Sequence, residues 1–178
     1  NVYKLSEVTN ILAGGDLPDS FSTEKTDLLT IPVYSNGEKN NGLYGYTDIP
    51  KVTEPAVTIS ARGSKVGFAV VRKQPYFPIV RLLSLIPYKD RLDVNFLFYN
   101  LKLNRQSGIG SGQPQITIPD ISNRTISIPP LHIQQKIASV LSALDAKIEL
   151  NNRVNRELEA MAKTLYDYWF VQFDFPNE

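Results

Sequence analysis

The sequence contains no cysteine and a single histidine, His132. The missing cysteines exclude a disulfide framework and a thiolate metal site. With one imidazole, neither a histidine-based catalytic triad nor a typical zinc site can be assembled from this chain. His132 reads as a capping or packing residue, and no metal or cofactor is expected. No GxxxxGK(S/T) phosphate loop occurs. Gly108, Gly110 and Gly112 alternate, but they follow a predicted helix rather than a strand, which argues against a dinucleotide site. The chain lacks any run of about 18 or more apolar residues, so no membrane span is expected. Its start, NVYKLSEVTN, has no basic region followed by an apolar run and is not a secretory signal. A cytoplasmic setting agrees with these absences.

The 178 residues fit one ordinary domain plus an appendage, and an apolar content of 42% supports a real core. The net charge of +1 conceals an uneven distribution. Residues 1–57 hold four lysines against eight carboxylates, whereas residues 58–105 hold nine Lys or Arg against Asp90 and Asp93. A basic block inside a neutral protein is the electrostatic footprint of a polyanion binder, although such charges also serve simply to solvate strand edges.

Along the chain, Leu5, Val8, Ile11 and Leu12 fall at helical spacing and predict a short amphipathic helix within residues 1–13. Ile31–Tyr34 reads as a strand. Asn36-Gly37 and Asn41-Gly42 then mark turns in the polar segment YSNGEKNNGLYGY. Ala56–Ser60 and Val66–Val71 flank a basic turn and read as a hairpin. Ile79–Ile86 is a further strand. Asp93 caps a helix with Val94, Leu97, Phe98 and Leu101 on its apolar face. Gln106–Gln115 is a second polar loop, and Thr125–Ile128 a last short strand. The expectation is an α+β domain over residues 1–130, followed by a long helix over residues 131–178, with Pro130 at the first helical position. A helix to about residue 170 would span on the order of 60 Å.

That helix has an uninterrupted seam. Ile137, Leu141, Leu144, Ile148, Asn151, Asn155, Leu158, Ala162, Leu165 and Trp169 follow one another in alternating steps of four and three. This is the 3.5-residue period of a helix that packs along its length against another. Nothing else in the chain offers a partner of similar length, so a second copy or an external helix is expected. An antiparallel self-pair would be two-fold symmetric and isologous. Asn155 could hydrogen-bond across it and fix its register. Tyr166, Tyr168, Trp169, Phe170, Phe173 and Phe175 crowd the end of the helix and should be buried against the globular domain of a partner or of this chain, or form core.

Arg62, Lys65, Arg72 and Lys73 can supply phosphate contacts, with Ser64 in the same turn. Asn36, Asn40, Asn41, Tyr44 and Tyr46 in the first loop, and Ser107, Ser111, Gln113 and Gln115 in the second, can reach base edges. Packing and plain turn geometry are the alternative roles for the tyrosines and glycines. Asp120, Asp145 and Lys147 superficially suggest a metal-dependent nuclease, but the latter two fall on outer faces of the long helix.

The run IPPLHIQQKIASVLSALDAKIELNNRVNRELEAMAKTLYDYWFVQFDFP resembles the conserved region of type I restriction–modification specificity subunits. The matching features are Gln134–Ile137, Leu141–Asn151 and the aromatic stretch Trp169–Phe175. Upstream, IPVYSNGEKNNGLYGY, TISARGSKVGF and Ser107–Gln115 resemble the family's target recognition domain. The resemblance implies a non-catalytic subunit that recognises double-stranded DNA and holds methyltransferase and restriction subunits on it. It also implies two recognition domains per subunit, whose helices pack antiparallel and set the distance between half-sites. This chain departs from that pattern with one domain and one helix, as a dimerising half-subunit or a fragment would. A coiled-coil scaffold that binds protein without DNA specificity is the alternative.

Overall fold

The structure, a computed structural model, describes residues 1–105, 108 and 114–172. It divides into two compact units, Asn1–Ala138 and Ser139–Glu178. The first is built around a four-stranded antiparallel sheet in the order β2 (Thr9–Ala13), β8 (Leu82–Pro87), β5 (Ala56–Ser60), β6 (Ala69–Arg72). Strand periodicity divides β5 between two cores. Val57 and Ile59, opposite Leu85 and Leu83, face the main core with Leu97 and Leu101 of helix α2 (Val94–Leu103). Ala56 belongs to a smaller cluster with Val52 and Tyr76, against which Leu12, Tyr34 and Ile86 pack. All five residues of β5 are buried, which is why it reads as a continuous run rather than an alternating one.

A second sheet, in the order β4 (Leu43–Thr47), β3 (Ile31–Tyr34), β7 (Phe77–Pro78), carries the first polar loop between β3 and β4. Strands β1 (Val2–Lys4) and β9 (Thr125–Ser127) pair antiparallel. The Ile128 amide donates to the Asn1 carbonyl beside them. Gly14 sits where a Cβ would come within 2.2 Å of the Ile79 carbonyl oxygen, so a side chain there would force β2 and the segment before β8 apart.

The predicted helix over residues 1–13 is corrected to β1, a single turn α1 (Leu5–Val8), and β2. Leu5 and Val8 do share a buried face, but Ile11 and Leu12 lie in a five-residue ladder with β8. The Thr9 hydroxyl donates to the Leu5 carbonyl at the helix end, and the ladder overrides the helical spacing beyond it. The returning strand of the predicted hairpin begins at Ala69 rather than Val66, because Val66–Phe68 close the turn through bonds to Gly63, Ser60 and Lys65. The sequence also hid helix α3 (Ile118–Ser122), closed by a capping box between Thr117 and Asp120.

Asp93 caps α2 as expected, accepting from the amides of Asn95 and Phe96. Helix α4 runs from Leu131 to Tyr166, followed by a π-helical turn, Asp167–Val171. Pro130 is not its first residue. The Pro130 carbonyl instead accepts from Ile133 and Gln134, placing proline just outside the helix. The first turns of α4, through Ala138, belong to the first unit. Gln134 is completely buried there. Its Nε2 donates to the carbonyls of Arg91 and Pro129, and its Oε1 accepts from the Asp93 amide, each at 2.9 Å.

Candidate nucleic-acid interface

The basic turn between β5 and β6 is held on both sides by segments remote in sequence. On one side, Asn36 works as a miniature strand. Its Nδ2 donates to the Arg62 carbonyl at 2.6 Å, and its Oδ1 accepts from the Arg62 amide at 3.4 Å. On the other, the Ile116 amide donates to the Ala61 carbonyl at 2.7 Å and the Gly63 amide to the Pro114 carbonyl at 3.2 Å, in an isolated bridge between Arg62 and Gln115. Gly63 adopts a φ of +91°, which fits glycine at this corner. Asn36 of the first predicted polar loop and Pro114–Gln115 at the end of the second therefore meet the basic turn.

Arg62 is half-buried, and its Nε is shielded from solvent without a hydrogen-bond partner among the described residues. Ser64 and Lys65 are exposed. Lys65 pairs with Glu38 of the first loop, adding an electrostatic link between loop and turn. Arg105, which the sequence reading omitted, donates from Nε to the Val66 carbonyl at 3.1 Å and adds a further cation to this turn. Its signal was available as the last cation of the basic block, but its position depends on where α2 ends.

The other predicted readers divide by exposure. Asn40 and Asn41 are exposed, with left-handed φ values of 50° and 53°, and Gly42 follows at 81°. Tyr44 is exposed and stacks on Phe21 with ring centroids 5.5 Å apart. Tyr46 is half-buried, and its backbone bridges that of Ser22. Lys73 and Gln115 are exposed. Ser107, Ser111 and Gln113 lie outside the described residues, as do Phe173 and Phe175 of the aromatic stretch.

Two assignments change on this geometry. Asn36 spends one Nδ2–H and its Oδ1 on the Arg62 backbone, so it also shapes the turn. Arg72, expected on phosphate, is 6% exposed. Its guanidinium lies 3.5 Å from the centre of the Tyr34 ring, donates to the Thr58 hydroxyl at 3.1 Å, and donates to the Asn41 carbonyl. Burial lowers its pKa from the ordinary arginine value, and pushes the neighbouring Tyr76 phenol up to about 12. Strand period explains the contrast with Lys73: one residue further on, the side chain leaves the strand for solvent.

Asp120, the first carboxylate of the nuclease reading, is tied into the capping box of α3. The Asp120 carboxylate accepts from the Thr117 hydroxyl at 2.6 Å and amide at 2.8 Å, and these bonds hold it below the usual carboxylate range. Among the described residues no group of three His, Asp or Glu side chains stands together to hold a metal. His132 is exposed. No helix of the described residues is long and apolar enough to cross a membrane.

In the helical unit most of the seam is exposed. Leu144, Ile148, Leu158 and Leu165 are exposed, Leu141 and Trp169 are partly covered, and Asn151, Asn155 and Ala162 are exposed. Ile137, one turn earlier in the first unit, is exposed as well. Val140, Val154, Met161 and Tyr168 form a second exposed row one position before the seam, which the heptad reading did not include.

Residues 1–160 match the family model of the type I restriction modification DNA specificity domain. The chain is 34% identical over 169 residues to a Mycoplasma pneumoniae protein named as a type I specificity subunit, covering 94% of this chain and 50% of that protein. It is 29% identical over 173 residues to the MjaIX type I specificity subunit of Methanocaldococcus jannaschii, covering 93% and 40%. Among solved structures, a chain of a type I restriction–modification complex superposes with a TM-score of 0.73 at 25% identity, over 93% of this chain and 43% of that one. The specificity subunit of M. genitalium gives 0.70 at 19% identity, over 98% and 46%, a likeness of fold. The chain thus spans about half the length of the curated relatives it matches.

Proposed function

Because this chain belongs to the type I restriction modification DNA specificity family, we propose that it reads one half of a bipartite site in double-stranded DNA. The observation that carries this reading is the meeting of three segments, around Asn36, Arg62 and Gln115, at one basic turn. Phosphate contacts come from Lys65, Arg105 and Lys73, while exposed Asn40, Asn41, Tyr44 and Gln115 face the bases beside Arg62. Ser64, next to Lys65, offers a hydroxyl to a phosphate oxygen. Domain 1–130 recognises DNA, and the helix within 131–178 pairs antiparallel with the same helix of a second copy, which spaces two recognition domains. Methyltransferase subunits, and restriction subunits where present, supply the chemistry. The chain itself contributes recognition.

The test is methylation of a plasmid library by the chain assembled with its methyltransferase subunits, followed by mapping of the modified sites. A single split sequence is expected, and methylation without base preference would sink the reading. Lys65 gives a sharper check. Changing Lys65 to Gln should weaken binding by roughly three- to tenfold on every sequence, and flatten the log–log salt slope by about 0.9, the loss of one phosphate contact. A gel-shift titration at several salt concentrations measures both.

A further inference from the structure

We propose that Arg72 is a positioning residue for base reading: its buried guanidinium holds the Asn40–Asn41 segment in the shape that presents both side chains outward, without touching DNA itself. The proposal rests on the DNA-reading function above and assigns a role inside it. Arg72 lies at the end of β6 in the four-stranded sheet, whereas Asn41 lies in the loop between β3 and β4 of the other sheet. The bond from its Nη2 to the Asn41 carbonyl ties the two together across 31 residues of sequence. Its Nε is fixed by Thr58 at 3.1 Å, and its plane is fixed by the Tyr34 ring at 3.5 Å.

Two features make this more than packing. A buried cation is costly unless it is paired, yet among the described residues no carboxylate pairs with Arg72. Its hydrogen bonds go to neutral acceptors, one of which is the backbone of the loop. That loop is also held in an unfavourable shape. Asn40, Asn41 and Gly42 have consecutive φ values of 50°, 53° and 81°, a left-handed run that L-residues avoid unless their surroundings impose it. The Asn41 amide donates to the Glu38 carbonyl and the Leu43 amide to the Asn40 carbonyl, within the loop itself, and Leu43 also pairs with Tyr34 of β3. Arg72 is the contact that reaches Asn41 from the neighbouring sheet. Lysine would keep the charge but lose the planar fork that stacks and donates in two directions at once.

The experiment compares wild type, R72K and R72M, each assembled with the methyltransferase subunits. Three readings are taken: the profile of methylated sites in a randomised library, binding against salt, and hydrogen exchange of residues 38–43. In R72K, preference should relax at least about tenfold at one or two adjacent base pairs. The salt slope should stay at the wild-type value, and the amides of Asn41 and Leu43 should exchange faster while the β5–β6 ladder stays protected. Uniform weakening with a slope flatter by about 0.9 would overturn the proposal by making Arg72 a phosphate contact. An unchanged site profile would overturn it too, and so would loss of the fold in both variants, which would make Arg72 a core residue only. A wild-type complex without base preference would instead overturn the DNA-reading function, so the two failures are distinguishable.

Discussion

Replacing Gln134 by leucine is expected to lower the stability of the first unit by about 4 kcal/mol. The change removes one acceptor and two donors, supplied by a side chain that is itself fully buried, from three part-buried backbone bonds. The Asp93 amide and the carbonyls of Arg91 and Pro129, all in part-buried bonds, would then lose these partners, at about 1–1.5 kcal/mol each. Domains of this size are stable by about 5–15 kcal/mol in total, so the loss is a large fraction. With a urea slope of about 2 kcal/mol per molar, the midpoint should fall by roughly 2 M. A shift under about 0.5 M would mean the helix base is held by apolar contacts such as Ala138 instead. Gln134→Glu provides a test of the donors alone. Ionised, it keeps the acceptor role and points negative charge at two carbonyl oxygens. Burial and those oxygens should raise its folded-state pKa above the ordinary glutamate value of about 4.3. Stability from the protonated form is therefore present below the unfolded pKa and lost as pH rises through the folded one. Gln134→Glu should approach wild type near pH 4 and fall away from it toward neutrality.

Gln134 illustrates what a sequence conveys and what it withholds. It stands in the Gln134–Ile137 segment that carried the family resemblance, so its importance was legible. Its role was not, because the three groups it satisfies lie 5 to 43 residues away and no local pattern links them. Features set by local chemistry were readable: the Asp93 cap, the β5 strand and the period of α4. Those set by long-range pairing were misread. Ile11 and Leu12 kept helical spacing but were captured by β8. Arg72 and Lys73 looked alike in sequence and separated by burial, since the receiving groups on Thr58, Tyr34 and Asn41 came together only with two sheets in place. Asn36 looked like a base reader because it sat in a polar loop, and it became a brace because Arg62 was folded against it. The polar loops and the basic turn were each legible in the sequence; that Asn36 and Gln115 meet at Arg62 was not, because tertiary hydrogen bonding sets it.

A lysine at Leu158 is expected to dissociate the helix pair almost completely. Leu158 is exposed in the helical unit, in line with Leu144, Ile148 and Leu165. Such a row is rarely left to water on this scale, and burying a leucine contributes about 1.5–3 kcal/mol. In a two-fold symmetric pair each substitution occurs twice, so truncation alone costs about 3–6 kcal/mol, two to four orders of magnitude in the dissociation constant. The buried ammonium adds to that. Sedimentation should give a wild-type dimer and a Leu158→Lys monomer of unchanged helix content. A wild-type monomer at high concentration would assign the seam to a different partner helix. The asparagines should respond with the opposite sign. Asn151 and Asn155 are the polar interruptions in the seam, and both are exposed in the single helix. Polar seam residues reduce stability while fixing register. Asn155→Leu should therefore tighten the dimer while permitting neighbouring alignments. If the helix pair sets the separation of two recognition domains, a slip by one heptad shifts each helix by about 10 Å, roughly three base pairs of DNA. The tighter variant should then methylate sites with more than one spacer length, whereas Leu158→Lys should methylate none.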